Sequence, residues 1–538
     1  MASRTPWIRH VFAGGWATDF GQIIDAQVPN TLVMPIPFLL TAENHLYELH
    51  GGPRKAPGTS KLNSSQMESG AAIRGMYDAW FSGTSGAPSQ RRICDVGTKI
   101  KADNADGTFS DIATGRTATG VSCYAMLDDF VVIANTADAL SKWDGTTFSA
   151  VSGGSPTNIK CICEHKGFLF GGGASAAPSA LRYTDQFTPN TWSGTIQVGP
   201  DDGDGIMAVA SHKGELLVFK GPYKGSIWRL TGSSNSDFAL VPFVKGIGCA
   251  GANLVAPFGD DLIFVWVDGQ AYTLSATANY GDYQEVALTR PIATFLRDNV
   301  VASQLHKASL VVDSGLGVVW INLPTQGSAT PNTLLAMDYR FSPPRWSYLP
   351  AYSSYCYSLM EMIDSANSNR RIVSIGGADG YIRKFNQSTR TIDGTVAIPE
   401  RAKTPFFSYG SPWSMKTIEQ VSLASANRGG AGKSITFSWT RSAGASGGGS
   451  TQSVSVAERG GGFILGDGIT PGLGDELSDG VILGAGVGYG ENFMSLETGG
   501  EFRAIQYGIE QVTLSQDCEI YALSVRVKPG ADSYDNQE

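Results

Sequence analysis

Three His-Lys pairs stand before apolar runs: His165-Lys166 in EHKGFLF, His212-Lys213 in SHKGELLVF and His306-Lys307 in LHKASLVV. Imidazole is the usual acid–base group near neutral pH and the commonest metal ligand. Cys161 and Cys163 precede the first of these histidines by four and two positions. On a strand all three side chains share one face, a donor set suited to a soft metal ion. No second ligand cluster accompanies them, and a buried cysteine packs as a small apolar side chain, so the stretch is read as a core strand. Histidines at equivalent places in successive repeats sit apart around a ring. They are expected to be turn residues beside a left-handed glycine or its substitute.

Other stretches imitate reactive motifs. NRGGAGKS (427–434) approaches a phosphate-binding loop, but Asn427 stands where the first glycine belongs. SITFSWT follows with strand alternation, where a helix must aim its N-terminus at phosphate. The expectation is a hairpin turn joining EQVSLAS to ITFSWT. Gly444-Ala445-Ser446-Gly447-Gly448 fits the spacing of a nucleophile elbow but lies in linker-like GASGGGS. Gly486-Val487-Gly488-Tyr489-Gly490 lacks a dinucleotide-binding context. DNADG (103–107) and DDGDG (201–205) resemble calcium loops without the closing bidentate Glu. Asp and Gly also build β-turns, and a cation there would be structural. No converging pair of carboxylates stands out. The reading therefore assigns no catalytic, cofactor-binding or metal-binding residue and no cofactor, and expects no enzymatic activity.

The elements that carry these residues are strands. The chain has 538 residues, 66 of them Gly, and only 17% charged. Scarce Lys, Glu and Arg with abundant Gly and aromatics favour strands and turns over helices. A net charge of −9 without a basic run excludes a tight nucleic-acid or anionic-membrane binder. Seven scattered cysteines argue against a disulfide framework. The opening MASRTPWIRHVFAGGW lacks the apolar centre of a signal peptide, and VMPIPFLL is too short to span a bilayer. A soluble, cytoplasmically made product without a membrane anchor is expected.

Turns flanked by apolar runs recur at Asp128-Asp129, His165-Lys166-Gly167, His212-Lys213-Gly214, Gly259-Asp260 and His306-Lys307. Their centres advance by roughly 37 to 48 residues, the length of one four-stranded propeller blade. Looser members, MYDAWFSGTSGAPSQRRICDVG and CYSLMEMIDSANSNRRIVSIGG, flank the set. A second turn follows in YKGSIWRL, VDGQAYTL and ADGYIRKF, so each unit holds consecutive hairpins. The expected fold is all-β: a β-propeller of about seven four-stranded blades over 70–398, after an N-terminal arm with bracing strands over 1–69. RAKTPFFSYGSPWS reads as a linker. A sandwich-like β domain is expected over 399–538, with a Gly-rich loop at 460–490 carrying the small repeat FILGDG and VILGAG.

Three stretches in order resemble a known family. GGWATDFGQIIDAQVPNTL with LYELHGGPRKAPGTSKLNS is similar to the opening of propeller-type phage tail proteins. Residues 225–274, GSIWRLTGSSNSDFALVPFVKGIGCAGANLVAPFGDDLIFVWVDGQAYTL, resemble their central signature across two blades. ETGGEFRAIQYGIEQVTLSQDCEIYALSVRVKPG resembles their closing strands. The chain departs from the pattern at Ala56, where an Arg-Pro pair is often seen, and in the Gly-rich segment. The resemblance is to the tail nozzle, or tail-tube hub, of short-tailed phages. It implies a virion structural protein located in the tail, six copies in a ring below the head–tail adaptor, and tail-fibre or tail-spike neighbours. It further implies a tube through which double-stranded DNA passes without sequence-specific binding, and no catalytic residues. The alternative is a host-glycan-binding or glycan-degrading propeller, since propellers carry such sites at their axis and Trp and Tyr stack on sugars.

Overall fold

The structure is a computed structural model that describes residues 7–12, 14–18, 23–24, 33–36, 38–49, 51–82, 88–280, 287–365, 369–409, 415–427, 433–442, 449–456, 460–463, 483–487, 490–494, 502–514 and 517–529. The chain folds as two compact units, one of 60–337 with 352–385, the other of 1–59, 338–351 and 386–538. Residues 60–69, 338–351 and 386–398 thus fall on the other side of the division from the linear reading.

The first unit is a β-propeller. Four antiparallel meanders follow one another, each of four strands paired in chain order. They are Ile73–Phe81 to Phe109–Ala113, Ser122–Leu127 to Phe148–Ala150, Cys161–His165 to Gly194–Gln197, and Gly205–His212 to Ala239–Lys245. The fifth sheet has three strands, Val255–Phe258, Asp261–Val265 and Ala271–Thr273, and a short helix, Leu274–Tyr280, follows them. The sixth begins with Ser309–Asp313 and Val318–Leu323. The seventh holds Ser358–Asp364, Arg370–Gly376 and Ile382–Asn386, and its fourth strand is Gly58–Lys61 from before the first blade, with Thr391–Ile392 and Val396–Ala397 continuing the sheet beyond it. The first strands of the seven sheets neighbour one another in chain order, and that of the seventh lies against Ile73–Phe81 of the first. The ring is closed.

Burial explains the sequence pattern. Second strands such as FVVIAN, FLFGGGA, ELLVFKG and VVWINL are buried along almost their whole length. Each lies between two neighbouring sheets, so both faces must be apolar, and the strand reads as a continuous apolar run. The outer strand Ala239–Lys245 is mostly exposed and mixed in polarity. The cores lie between blades: Ile93, Ile100 and Ala79 of the first pack on Val131, Ile133 and Trp143 of the second. Cys161, Phe170 and Leu181 of the third pack on Ile206, Leu216 and Val218 of the fourth. Each fully buried large apolar side chain contributes about 1.5–3 kcal/mol, so the sheets stabilise one another where one alone is marginal.

The hairpin tips follow from backbone geometry. Asp128 and Asp129 have φ of 50° and 58°, Lys166 and Gly167 50° and 82°, and Lys213 and Gly214 48° and 79°. Two successive positive φ values define the turn whose twist suits a two-residue hairpin. His306 departs from the expectation. It lies in a 3-10 helix, Ala302–Lys307, before the sixth sheet, whose first hairpin turns at 314–317 instead. Its sequence lacks the glycine that follows the other two pairs, so no such hairpin closes there.

The second unit is a pair of packed sheets. One joins Val33–Ile36, Trp7–Phe12, Cys518–Pro529, Lys416–Asn427 and Gly490–Met494, with His45–Tyr47 and Pro53–Lys55 at its side. The other includes Phe406–Phe407, Ala504–Gln511, Glu400–Lys403, Thr41–Glu43 and Arg345–Tyr348, extended by Lys433–Ser442 and Gly449–Val456. His10 of the first sheet packs on Phe407 of the second with ring centroids 4.5 Å apart, and bonds Tyr409 Oη at 2.8 Å. RAKTPFF is therefore no linker: Ala402 and Phe407 are buried strand residues. EQVSLAS and ITFSWT do not pair as a hairpin, since their strands belong to different sheets, and residues 428–432 between them lie outside the described residues. In the Gly-rich stretch Gly460–Phe463 pairs antiparallel with Leu483–Val487. Residues 443–448, 464–482 and 488–489 lie outside the described residues, and with them most of GASGGGS and part of the 486–490 glycine run.

Candidate functional site

His165 and His212 end the first strands of the third and fourth sheets. His165 is buried, its Nδ1 is 2.8 Å from Ser211 Oγ, and burial, with Lys166 adding, holds its pKa down to about 4. It is a neutral packing group. Cys161 sits in the apolar core and Cys163 beside it is half-buried. Burial pushes the Cys163 thiol up to about 11 and the Cys123 thiol up to about 12. A thiol so raised is a poor nucleophile and a poor metal ligand. Among the described residues no three of His, Cys, Asp and Glu gather as a metal would require.

The two Asp-Gly loops are bound to the protein itself. In DNADG, Asp103 accepts from the Arg92 N–H at 2.8 Å and from its guanidinium at 3.0 Å, and Asp106 accepts from the Thr108 N–H and hydroxyl at 2.8 and 2.6 Å. In DDGDG, Asp202 holds both oxygens 2.6–2.7 Å from the buried Lys220 ammonium, which also donates to the Val198 and Gly199 carbonyls. Asp204 accepts from three backbone N–H groups, of Tyr223, Lys224 and Gly225, at 2.7, 2.9 and 2.7 Å. These carboxylates fix turns. The strand Lys433–Ser442 already begins at the Lys-Ser end of NRGGAGKS, where a phosphate-binding loop needs the start of a helix.

A cavity of another kind lies at the opposite ends of the strands that carry His165 and His212. A cavity of about 790 Å³ gathers residues at the starts of the innermost strands: Val121, Lys160, Gly205, Ala252 and His306. The turn Gly221-Pro222-Tyr223 forms part of its wall. The tips carrying His165 and His212 terminate those same strands at their other ends. Of the three His-Lys histidines, only His306 reaches the cavity. A smaller cavity of about 180 Å³ lies between Met76, Tyr124, Asn253, Ser309 and Ser358, at the first strands of the first, second, fifth, sixth and seventh sheets.

The second unit contains a partly buried ionic cluster that sequence reasoning missed. Asp517 accepts from Arg54 at 2.6–2.8 Å and from Arg390 at 3.0 Å. Glu400 is buried with His45 Nδ1 4.0 Å away, and burial pushes its carboxyl up to about 8. Members come from residues 45–55, 390–400 and 517, and no local spacing announces such a meeting.

No family model matches the chain, and no curated protein matches it. Among the solved structures that resemble it are two of low identity. "YCF48 bound to D1 peptide" is 11% identical, with 60% of this chain and 94% of that chain covered at a TM-score of 0.38. The N-terminal domain of Nup159 is 12% identical, with 64% and 98% covered at a TM-score of 0.34. The propeller assignment rests on the strand pairing and ring closure described above.

Proposed function

We propose that the chain is a structural subunit of a phage tail tube, the nozzle through which double-stranded DNA leaves. The observation that carries the reading is the ordered set of three tail-like stretches, above all residues 225–274, which span the fourth and fifth blades. The DNA path in this reading lies between copies, packed side by side in a closed ring, six by the family resemblance, below the head–tail adaptor and next to fibre or spike proteins. A chain with net charge −9 suits a lumen that lets phosphate slide, because a basic wall would hold it. Electron microscopy of recombinant protein and of purified particles tests the proposal. A monomer at every concentration, absent from virions, removes it.

The 790 Å³ cavity favours a second reading, a glycan-binding propeller, because Tyr223 at its wall is 79% exposed and presents a flat aromatic face.

A further inference from the structure

We propose that the cavity at the start of the innermost strands binds a carboxylate-bearing sugar, of the uronic- or sialic-acid class. The inference rests on the glycan-binding reading and is independent of ring assembly. Charge is the first observation. The basic groups lining the cavity are Lys160 and His306, and no carboxylate lines it, in a chain with more acids than bases. Lys160 is half-buried, its Nζ lies 3.9 Å from the Met207 sulfur, and no carboxylate pairs with it among the described residues. Asp204 stands between two lining glycines but does not neutralise it. That carboxylate is buried and turned onto the N–H groups of 223–225. A partly desolvated ammonium without a counter-ion attracts an anion.

The remaining lining suits a sugar ring. His306 Nδ1 is 3.1 Å from the Ser303 carbonyl. A carbonyl only accepts, so Nδ1 carries the hydrogen and Nε2 keeps a lone pair for a sugar hydroxyl. Thr136 and Ser303 add hydroxyl groups, and the exposed Tyr223 ring offers an apolar face to pyranose C–H groups. The volume lies within the range of small-ligand pockets. Bare glycine keeps one wall close: a Cβ on Gly251 would stand 3.0 Å from His306 Cα. A single ammonium matches one carboxylate and leaves half of a phosphate dianion unmatched.

Titration calorimetry of the full chain with glucuronate, glucose and inorganic phosphate tests this, comparing wild type with Lys160→Met and Tyr223→Ala. Glucuronate is expected to bind at least about tenfold more tightly than glucose. Lys160→Met should reduce glucuronate to the glucose level, and Tyr223→Ala should weaken both sugars. Unchanged melting temperatures establish that both variants fold. Equal binding of the two sugars overturns the acidic preference and spares the glycan reading. Phosphate binding as tight as glucuronate overturns the carboxylate assignment, and no binding of either sugar overturns both.

Discussion

Removing the Asp204 carboxylate tests the turn chemistry of the fourth blade directly. Its side chain is buried and accepts three backbone N–H groups within 2.7–2.9 Å. A hydrogen bond to a charged acceptor contributes about 1.5–3 kcal/mol, and a donor left buried without a partner costs about 1–3 kcal/mol. Tyr223 and Lys224 are exposed, so their N–H groups regain water after truncation. The buried Gly225 cannot, and its φ of 69° leaves the turn few alternatives. Asp204→Ala is therefore expected to cost about 3 kcal/mol. Asp204→Asn keeps one accepting oxygen but sets an amide NH₂ against a backbone donor, and should fall between. At roughly 2 °C per kcal/mol for a unit of this size, the alanine variant melts about 6 °C lower. Calorimetry and urea unfolding measure both. The same experiment separates the turn from a calcium loop. A cation bound at a hundred times its dissociation constant stabilises by about 2.7 kcal/mol. Millimolar Ca²⁺ should leave the wild-type melting temperature unmoved. A calcium-dependent rise, or an alanine variant as stable as wild type, would refute the assignment.

His10 is held near 3 by burial, below its unfolded value of 6.5, so its contribution is complete above about pH 6.5 and is lost as pH falls toward 3. His10→Gln should shrink the acid destabilisation between pH 6.5 and 5 by about 1.4 kcal/mol per pH unit, and parallel urea-midpoint profiles would contradict it. Asn63 is buried, donates to the Ser65 and Gly380 carbonyls and accepts from the Ile382 N–H. Asn63→Ala should cost about 2–3 kcal/mol and raise hydrogen exchange in the closing strand Gly58–Lys61 first; uniform exchange across the ring would count against a closure role. Gly173 has φ of 78°, and a Cβ there would stand 2.2 Å from the Ile206 carbonyl of the next blade. Gly173→Ala should lose more than about 3 kcal/mol and yield little soluble protein, and a near-normal melting curve would show that the blades can part without penalty.

The repeating part of this protein is legible residue by residue. His165-Lys166-Gly167 and His212-Lys213-Gly214 declare their hairpins because the turn needs two successive positive φ values, a property of adjacent residues. Runs such as FVVIAN and ELLVFKG declare strands buried on both faces for the same local reason. His306 shares the His-Lys pair but has Ala308 where Gly167 and Gly214 supply a positive φ, and it lies in a 3-10 helix. The complete fold sets what meets across hundreds of residues. It placed Gly58–Lys61 as the fourth strand of the last blade, paired Trp7–Phe12 with Cys518–Pro529, and brought Arg54, Arg390 and Asp517 together. It also set Lys160 and His306 on one cavity. Backbone torsions are chosen residue by residue and leave a mark in the sequence. The choice of a distant partner depends on which buried surfaces fit once the whole chain has closed, and no short stretch records that.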